Sequence, residues 1–334
     1  FLLLRKRGEY LPELSPKATV RAIPALLSGL RLPGRLFGLL WLIATCRART
    51  ILAIGEWPSL LTAIVAPLFP HKRVYLSEQN TRTFLNSPET YGASRALKHL
   101  SRWVYPHVSG IVVASQAVGR MVSSVLPGIS LPVRVINNAV DIREVTRRSF
   151  EPWDHPWKKD AECLLVAAGR LVPQKDYPTM IRALRVARAD LDARLIVMGA
   201  GNQLSSLESL ARDLSVYDAV SFIGFRKNPY RFFRCADVFV HSAEYEGFGN
   251  VFVEAMACGL PIVTTDCQTP REIFGDRSVG MIVPVGDFQA LGHAIVSVAK
   301  DPPETSKIRA RAEAFSVPSI AREYEQFLFG DLDT

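Results

Sequence analysis

The 334-residue sequence predicts an α/β protein with two doubly wound parallel sheets. Short apolar runs with strand character alternate with longer stretches of helical spacing almost throughout the chain, and this βαβα rhythm occurs twice. A polar stretch punctuated by prolines separates the two halves near residues 140–158. We therefore predict a first domain at residues 1–150, a second domain at 151–318, and a C-terminal helix at 319–334 that packs back on the first domain.

Five apolar runs of the first half are predicted to be strands: Phe1–Leu4, Thr50–Ile54, Arg73–Leu76, Gly110–Ala114 and Val133–Ile136. The helical spacing of apolar residues predicts helices at Ser59–Leu68 and Gln116–Val125. Because the chain opens directly in a strand-like run, we expect the first part of that strand to be missing.

The second half contains six predicted strands: Cys163–Ala167, Arg194–Met198, Val220–Ile223, Val238–His241, Pro261–Thr265 and Met281–Val283. In open parallel sheets, ligands bind just beyond the carboxyl ends of the strands. Small and polar residues recur at that edge, for example at Gly169-Arg170, Gly199–Gly201 and Thr265-Asp266. This edge therefore fits a nucleotide-binding cleft.

The composition favours a soluble globular protein, because hydrophobic residues make up 48% and charged residues 22% of the chain. The net charge of +8 is uneven, since residues 1–150 contain 20 of the 40 Lys and Arg but only 7 of the 32 Asp and Glu. Such a basic half can face nucleic acid, an anionic membrane surface or a phosphate-bearing acceptor. Nucleic acid is disfavoured, because the basic residues are scattered without interleaved aromatic side chains.

The segment Ile23–Ile43 is apolar, but Arg31, Arg35 and several prolines and glycines argue against a transmembrane span. It is interpreted either as core-facing helices or as an amphipathic, basic helix at a bilayer interface. The five cysteines show no C-x-x-C spacing, so we expect mostly buried thiols in a reducing compartment and no metal site.

The most informative segment is Glu246-Gly-Phe-Gly-Asn-Val-Phe-Val-Glu254, which has two carboxylates eight residues apart. A strand-like run precedes it, and Gly259 followed by Pro261 marks the end of a short helix. Glu254 then falls among apolar residues inside that helix, where a carboxylate is costly unless a partner such as a ligand hydroxyl binds it. The turn Gly247-Phe-Gly249 leaves backbone N–H groups at a helix N-terminus, which is a common way to hold a phosphate.

Arg170 and Lys175 lie five residues apart on the loop after the first strand of the second half. Such a pair can grip a diphosphate from two sides, because Arg offers a planar fork of N–H groups and Lys a mobile charge. Solvated loop charges are the alternative. Gly199-Ala-Gly201 lacks the third glycine of a dinucleotide fingerprint and is interpreted as a tight turn. Asp190-Leu-Asp192 precedes a strand, at the wrong edge of the sheet for a metal that would neutralise a diphosphate.

In the first half, the polar residues Glu78, Gln79 and Asn80 follow the predicted strand Arg73–Leu76 and are candidates for contact with an acceptor. A plain strand-end cap is an equally good interpretation. Three isolated histidines are interpreted as structural or solvated: His71, His107 and His241. His241 is the hardest to dismiss, because it lies just before the Glu246 loop.

Four ordered blocks of the second half resemble the nucleotide-binding domain of family 4 glycosyltransferases, which have the two-domain GT-B architecture. The blocks are Gly169-Arg-Leu…Gln174-Lys-Asp176, Phe222-Ile-Gly224, Glu246-Gly-Phe-Gly-Asn-Val…Glu254-Ala-Met-Ala-Cys-Gly-Leu-Pro261 and Pro270-Arg-Glu-Ile273. The first half is similar more loosely, through Ser115-Gln-Ala-Val and the hinge Ile136-Asn-Asn-Ala-Val-Asp141. The resemblance implies two Rossmann-like domains that face each other across a cleft.

The resemblance also implies roles for individual residues. Arg170 and Lys175 hold the diphosphate of the sugar donor, Glu246 contacts the donor sugar, and Glu254 binds the ribose hydroxyls. The other residues implied in binding the sugar donor are Gly169, Gly224, Phe225, Arg226, Gly247, Phe248, Gly249, Asn250 and Val251, of which those after Gly224 border the base. Neither a metal ion nor another cofactor is expected.

The implied activity is transfer of a sugar, with retention of anomeric configuration, from a nucleoside-diphosphate sugar to a glycan or lipid-linked glycan in surface polysaccharide synthesis. UDP is favoured by family frequency alone. The basic first domain favours a cytoplasmic protein in peripheral contact with an anionic membrane. The alternatives are a nucleotide-sugar epimerase and a catalytically silent sugar-nucleotide-binding protein.

Two features depart from the family pattern. Family members usually carry a strand and a glycine-rich loop ahead of the position at which this chain begins. Many members also carry a histidine in the first-domain loop where this chain has Gln79, and an amide cannot act as a base.

Overall fold

The computed structural model of the protein describes residues 2–3, 21–22, 32–80, 99–128, 130–152, 157, 162–276 and 278–330. The described residues fall into two compact units. Unit 1 comprises those within Phe1–Ala114, Val118–Val135 and Phe327–Thr334, and unit 2 those within Ser115–Ala117 and Ile136–Gln326. Both units contain parallel sheets with helices, so the predicted α/β class is confirmed.

Unit 1 contains a four-stranded parallel sheet with the order β3-β4-β5-β6 and a separate parallel pair, β1-β2. The strands are β1 (Leu2–Leu3), β2 (Arg21–Ala22), β3 (Thr50–Ile54), β4 (Arg73–Glu78), β5 (Gly110–Val113) and β6 (Val133–Val135). The helices are α1 (Leu32–Ala44), α2 (Glu56–Val65), α3 (99–104) and α4 (Gln116–Val125), the first two residues of α4 belonging to unit 2. The sequence analysis did not anticipate β2, and residues 23–31 of the apolar segment lie outside the described residues.

Helix α1 packs on α2 through a small apolar cluster. Leu39, Leu42 and Ile43 of α1 meet Leu61 and Val65 of α2, and all five are buried. The spacing of the three α1 residues places them on one helical face. The second half of the apolar segment is therefore a core-facing helix rather than a span.

Unit 2 is a six-stranded parallel sheet with the order β12-β11-β10-β7-β8-β9. Its strands are β7 (Cys163–Ala168), β8 (Ala193–Met198), β9 (Val220–Gly224), β10 (Val238–His241), β11 (Ile262–Thr265) and β12 (Gly280–Val283). Its helices are α5 (Ile142–Ser149), α6 (Tyr177–Ala187), α7 (Leu204–Asp213), α8 (Tyr230–Phe233), α9 (Asn250–Ala257), α10 (Pro270–Phe274), α11 (Phe288–Lys300), α12 (Thr305–Glu313) and most of α13 (Val317–Phe329).

The strand order of unit 2 reverses between its two central strands, β7 and β10. This is the doubly wound order, in which the sheet grows outwards in both directions from its first strand. Both central strands are buried and, apart from His241 at the end of β10, apolar, as expected of strands covered by helices on both faces. Ligands of such sheets bind beyond the carboxyl ends at the reversal point. The loop with Arg170 and Lys175 follows β7, and the Glu246 loop follows β10.

The boundary predicted at residue 150 differs from the division of the chain in the structure. Helix α5 packs against α8, so residues 136–150 belong to unit 2. The isolated parallel bridge between Val140 and Ser316 joins two distant parts of unit 2. At the far end of α13, the ring of Phe327 lies 5.3 Å from the ring of Tyr75 on β4, and both residues belong to unit 1.

Candidate functional site

The two loops at the reversal point of unit 2 are tied to each other. Gln174 Nε2 donates to the carbonyl of Tyr245 (2.9 Å), and the Gln174 carbonyl accepts from the N–H of Glu244 (3.0 Å). Ser242 Oγ donates to the carbonyl of Lys175 (2.8 Å). The loop that carries the predicted cations and the loop that carries Glu246 are therefore held as one assembly.

Two glycines of the next loop allow the Arg170 loop to pack backbone against backbone. A Cβ at Gly199 would lie 1.8 Å from the carbonyl oxygen of Gly169, and one at Gly201 would lie 2.2 Å from that of Leu171. The Gly169 N–H donates to the carbonyl of Met198 (2.9 Å). The glycine pair therefore serves close packing, in agreement with its interpretation as a turn.

The carbonyl groups of the Glu246 loop are held by buried hydroxyl side chains. Thr265 Oγ1 donates to the carbonyl of Ala243 (2.7 Å), Ser115 Oγ to that of Gly247 (2.7 Å), and Thr269 Oγ1 to that of Phe248 (2.9 Å). By contrast, the backbone N–H groups of residues 247–251 donate to no acceptor among the described residues. The loop therefore presents a run of free N–H groups.

Helix α9 begins at the end of this loop. Gly249 has a φ of 90°, in the left-handed region, and a Cβ there would lie 2.7 Å from the ring of Phe252, so the position requires glycine. Asn138 Nδ2 donates to Asn250 Oδ1 (3.0 Å) and fixes the first residue of the helix. The first N–H groups of a helix carry partial positive charge, so the free groups of residues 247–251 form a cradle suited to an anion.

Glu246 lies beside this cradle and is paired. Its Oε1 atom forms an ion pair with Lys175 Nζ and lies 3.2 Å from His241 Nε2. Burial would raise the pKa of Glu246, but the interactions with His241 and Lys175 outweigh it and lower the pKa to about 2. Glu246 is therefore a fixed negative charge at neutral pH.

Glu254 is half-buried in α9, and its carboxyl has no hydrogen-bonding or ion-pair partner among the described residues. Burial raises the pKa of its carboxyl from 4.5 to about 7. The sequence-based expectation that Glu254 lies inside a helix among apolar residues agrees with the structure. A ligand that donates hydroxyl hydrogens would satisfy its carboxyl.

The remaining predicted residues of unit 2 are more exposed. The side chain of Arg170 is exposed and makes no ion pair or hydrogen bond within the described residues. Gly224 ends β9 with a φ of 71°, and its carbonyl accepts from the N–H of Gly199 (3.0 Å). Phe225 is 67% exposed, and Arg226 is exposed beside it. These residues lie at the same carboxyl edge as the cradle.

The candidates for acceptor contact in unit 1 are arranged differently from the prediction. Strand β4 runs two residues beyond the predicted end, so Glu78 is its last residue and is buried. Tyr105 Oη donates to Glu78 Oε1 (3.0 Å), and burial raises the pKa of Glu78 to about 7. Gln79 Nε2 donates to Ser77 Oγ (2.7 Å), and Asn80 is exposed. Among the three, Asn80 is the freest to meet a ligand.

Comparison with known proteins identifies the chain. The model of the family described as glycosyl transferases group 1 matches residues 148–315, which is half of the sequence and contains both loops of the reversal point. The chain belongs to this family. The resemblance read from the sequence motifs is thereby confirmed.

Named relatives of this group 1 chain include two bacterial enzymes. One is the N-acetylgalactosamine-N,N'-diacetylbacillosaminyl-diphospho-undecaprenol 4-alpha-N-acetylgalactosaminyltransferase of Campylobacter jejuni, 27% identical over 277 residues, or 80% of this chain and 73% of the relative. The other is the lipopolysaccharide core biosynthesis glycosyltransferase LpsE of Rhizobium meliloti, 31% identical over 57% of this chain and 54% of that protein. The matched region thus covers about half of LpsE.

Among solved structures, Anabaena Alr3699/HepE in complex with UDP-glucose superposes with a TM-score of 0.74. The alignment covers 93% of this chain and 85% of that chain at 21% sequence identity. At this identity the similarity supports the fold, and the group 1 chain therefore shares the architecture of HepE.

Sequence analysis of the group 1 chain missed the residues that hold the site together. The motifs contain Gln174 and Ser115 without a role for either, Thr265 stands only as a polar residue at the sheet edge, and Thr269 is not among the candidates. The only available signal was the position of each residue just after an apolar strand or just before a helix. His241, interpreted as structural, is buried and lies at Glu246, whereas His71 and His107 are exposed.

Features related to metals and membranes can be reported for the described residues alone. They contain no group of three His, Cys, Asp or Glu side chains arranged to hold a metal ion. Asp192 of the D-x-D triplet lies 3.1 Å from Arg188 and 3.7 Å from Arg194 at the amino end of β8. No helix in this part of the chain is long and apolar enough to cross a membrane. All five cysteines are free, and three of them are buried: Cys163, Cys258 and Cys267.

Proposed function

We propose that this group 1 protein transfers a sugar, with retention of configuration and without a metal ion, from a nucleoside-diphosphate sugar to a glycan or lipid-linked glycan. The observation that carries the proposal is Glu254, a half-buried carboxyl without a described partner, one turn inside the helix whose N-terminus forms the anion cradle. A nucleoside diphosphate matches both parts, because its ribose hydroxyls donate to Glu254 while its phosphates accept from the cradle.

The charges of the site fit departure of a diphosphate leaving group. Arg170 is exposed and free to move, and the free N–H groups of residues 247–251 lie beside Glu246. As the bond between the sugar and the phosphate breaks, negative charge grows on the diphosphate, and these groups together with Lys175 stabilise it. Glu246 faces the positive charge that develops on the sugar. We favour attack by the acceptor from the face that the diphosphate leaves.

We propose UDP as the nucleotide and a lipid-linked glycan of surface polysaccharide synthesis as the acceptor. Support for UDP comes from the HepE structure, which holds UDP-glucose. Support for the acceptor comes from the Campylobacter relative, whose name specifies a diphospho-undecaprenol-linked glycan, and from LpsE, which is named for lipopolysaccharide core biosynthesis. The proposal includes a cytoplasmic location, and the basic first half of the chain supports peripheral contact with an anionic membrane.

Isothermal titration calorimetry tests the donor site. The protein is titrated with UDP, GDP and ADP in the presence of a chelator, beside Glu254→Gln and the exposed control Glu325→Gln. We expect UDP to bind, Glu254→Gln to weaken binding by about 10- to 100-fold through loss of a charge-assisted hydrogen bond, and the control to bind normally. If only GDP or only ADP binds, that nucleotide rather than UDP would be assigned to the sugar donor. Equal binding by Glu254→Gln would contradict the ribose assignment.

Turnover separates an enzyme from a silent binding protein. UDP release from radiolabelled UDP-sugars is measured with a mixture of undecaprenyl-diphosphate glycans as acceptors, and the anomeric configuration of the product is read by NMR. We expect UDP release that depends on the acceptor and a product with the configuration of the sugar donor. An inverted product would refute the retaining mechanism, and binding without turnover would support the silent binding protein.

A further inference from the structure

His241 is a buried polar residue that the proposed reaction does not yet use. It ends β10, where it lies in register with Thr264 of β11, and it is only 4% exposed. Its ring packs edge-on to Phe252, with the centroids 4.8 Å apart. Nδ1 lies 3.4 Å from Thr264 Oγ1. Apolar packing alone would be better served by an apolar side chain, so the imidazole needs a separate explanation.

The other ring nitrogen supplies that explanation. His241 Nε2 lies 3.2 Å from Glu246 Oε1, but it completes no aligned hydrogen bond with any described residue. Lys175 Nζ approaches the same carboxylate oxygen and forms the closer pair. Buried polar atoms are normally satisfied. Two donors therefore converge on Glu246 Oε1, and of these two only Lys175 forms a close pair with it.

We propose that His241 is a positioning residue for Glu246, which it holds in place when Lys175 leaves that carboxylate for the diphosphate of the sugar donor. This inference rests on the proposed function, because only a bound diphosphate would attract Lys175 away. When Lys175 leaves, Glu246 loses its closest charged partner, and a buried carboxylate that loses such a partner tends to turn or protonate. A hydrogen bond from Nε2–H keeps it charged and oriented toward the sugar.

The protonation state of the ring fits this role. Burial lowers the pKa of His241, so the ring is neutral at pH 7 and carries one proton. Glu246 accepts only from a tautomer with that proton on Nε2. In that tautomer the Thr264 hydroxyl must turn its hydrogen from the Thr265 carbonyl, 3.1 Å away, to Nδ1. The role therefore requires the Nε2–H tautomer.

Three variants test the role by kinetics. His241→Leu removes both nitrogens, His241→Gln keeps an N–H group, and Val238→Ala is a control that opens a cavity at the far end of the same strand. We expect His241→Leu to lower kcat for the sugar donor by about 10- to 100-fold while the Kd for UDP, which lacks the sugar, stays within about threefold. His241→Gln should recover at least a third of kcat, and Val238→Ala should keep near-normal kcat at the temperatures where it is folded.

Equal kcat in His241→Leu and wild type would overturn the inference, as would parallel loss of UDP affinity, which would show a purely structural role. Failure of wild type to bind any nucleotide would instead refute the proposed function. Nitrogen-15 NMR of the histidine rings gives a result that does not depend on turnover. The His241 signals are assigned by their absence from His241→Gln, and they should show Nε2–H at pH 7. The Nδ1–H tautomer would place a lone pair against Glu246 and would contradict the proposal.

Discussion

Glu246 and Glu254 belong to one nine-residue segment, yet their surroundings shift their pKa values in opposite directions. Both carboxyls lose water on folding, which raises the pKa of each. Glu246 gains Lys175 and His241 as partners and ends near a pKa of 2, whereas Glu254 has no described partner and ends near 7. The contrast fits a Glu246 carboxylate that the protein keeps ionised and a Glu254 carboxyl that a ligand could bind.

The raised pKa of Glu254 predicts a pH-dependent loss of stability. Below pH 4.5 the carboxyl is protonated in both folded and unfolded chains, and as the pH rises through 7 the folded state bears the cost of ionising it. In ligand-free protein, the unfolding free energy of Glu254→Gln relative to wild type should therefore be about 2 kcal/mol higher at pH 8 than at pH 5. Urea unfolding at the two pH values measures this gain. A gain that does not change with pH would show that Glu254 ionises at its ordinary pKa.

The Lys175–Glu246 pair predicts a coupled effect of substitution. Removing one member of a buried pair leaves the other uncompensated, so Lys175→Met should cost about 3 kcal/mol of stability. The double variant Lys175→Met/Glu246→Gln should recover part of that loss, while both variants should lack transferase activity. Chemical unfolding and turnover of the four proteins of the cycle check both statements.

The same pair has a defined pH window. Because the pKa of Glu246 is lowered from 4.5 to about 2, its contribution to stability is present above pH 4.5 and is lost as the pH falls toward 2. The advantage of wild type over Glu246→Gln should shrink across that window. In the double-variant cycle above, losses of stability that simply add, with no recovery in Lys175→Met/Glu246→Gln, would show that Lys175 and Glu246 do not interact in solution.

At the residue scale, the sequence predicts what depends on local spacing. Glu254 could be placed inside a helix because the turn before it and Gly259 after it are adjacent in the chain. The pairing of Lys175 with Glu246 could not be predicted from the sequence, since the two residues are 71 positions apart and meet only when β7 and β10 become neighbours. The sequence predicted both residues for the site but not the bond between them.

At the scale of single elements, two glycines of the carboxyl edge predict different tolerances. A Cβ at Gly199 would lie 1.8 Å from the Gly169 carbonyl oxygen, whereas a Cβ at Gly224 would have no atom within 4 Å. Gly199→Ala should therefore cost about 4 kcal/mol or more, because the Arg170 loop must move. Gly224→Ala should cost only about 1–2 kcal/mol, from its left-handed backbone.

Thermal and urea unfolding of the two alanine variants provide the measurement, and Gly224→Asn serves as a control because asparagine tolerates the left-handed region. Similar losses for Gly199→Ala and Gly224→Ala would show that the loop adapts to a methyl group without strain.

The six strands of unit 2 agree with those predicted from the sequence to within one residue at each end. Strands buried on both faces read as continuous apolar runs, and these are hard to mistake when Gly or Asp bounds them. The prediction was poorer for unit 1. Strand β2 has only two residues, Arg21 and Ala22, too few for any pattern, and β4 extends through the polar Ser77 and Glu78 because Tyr105 satisfies the Glu78 carboxyl.

At the scale of the whole molecule, the uneven charge predicts which part of the protein would contact an anionic membrane. Helix α1 buries one face against α2 and exposes Phe37 (63%) and Trp41 (45%) on another, within the basic half of the chain. Binding to liposomes with 30% anionic lipid should fall with salt, and Phe37→Ser should weaken it about tenfold through loss of an inserted apolar side chain. Vesicle co-sedimentation measures the binding.

Phe225→Ser is the matched control for this experiment, because Phe225 is equally exposed but lies in the acidic second half. It should bind vesicles as wild type does. Equal binding to neutral and anionic vesicles would contradict a role for the basic half, and unchanged binding by Phe37→Ser would exclude α1 as the contact.

The parallel bridge between Val140 and Ser316 brings together the two ends of the stretch 140–316, which contains the whole six-stranded sheet of unit 2. A fold whose entrance and exit are adjacent can be inserted into, or removed from, a longer polypeptide without stretching its sheet. Because its two ends are adjacent, the stretch 140–316 could be inserted into another protein as one piece. Such a piece would lack Ser115, the hydroxyl that secures the Gly247 carbonyl. A graft would therefore carry Glu246, Glu254 and Lys175 but leave one carbonyl of the Glu246 loop unanchored.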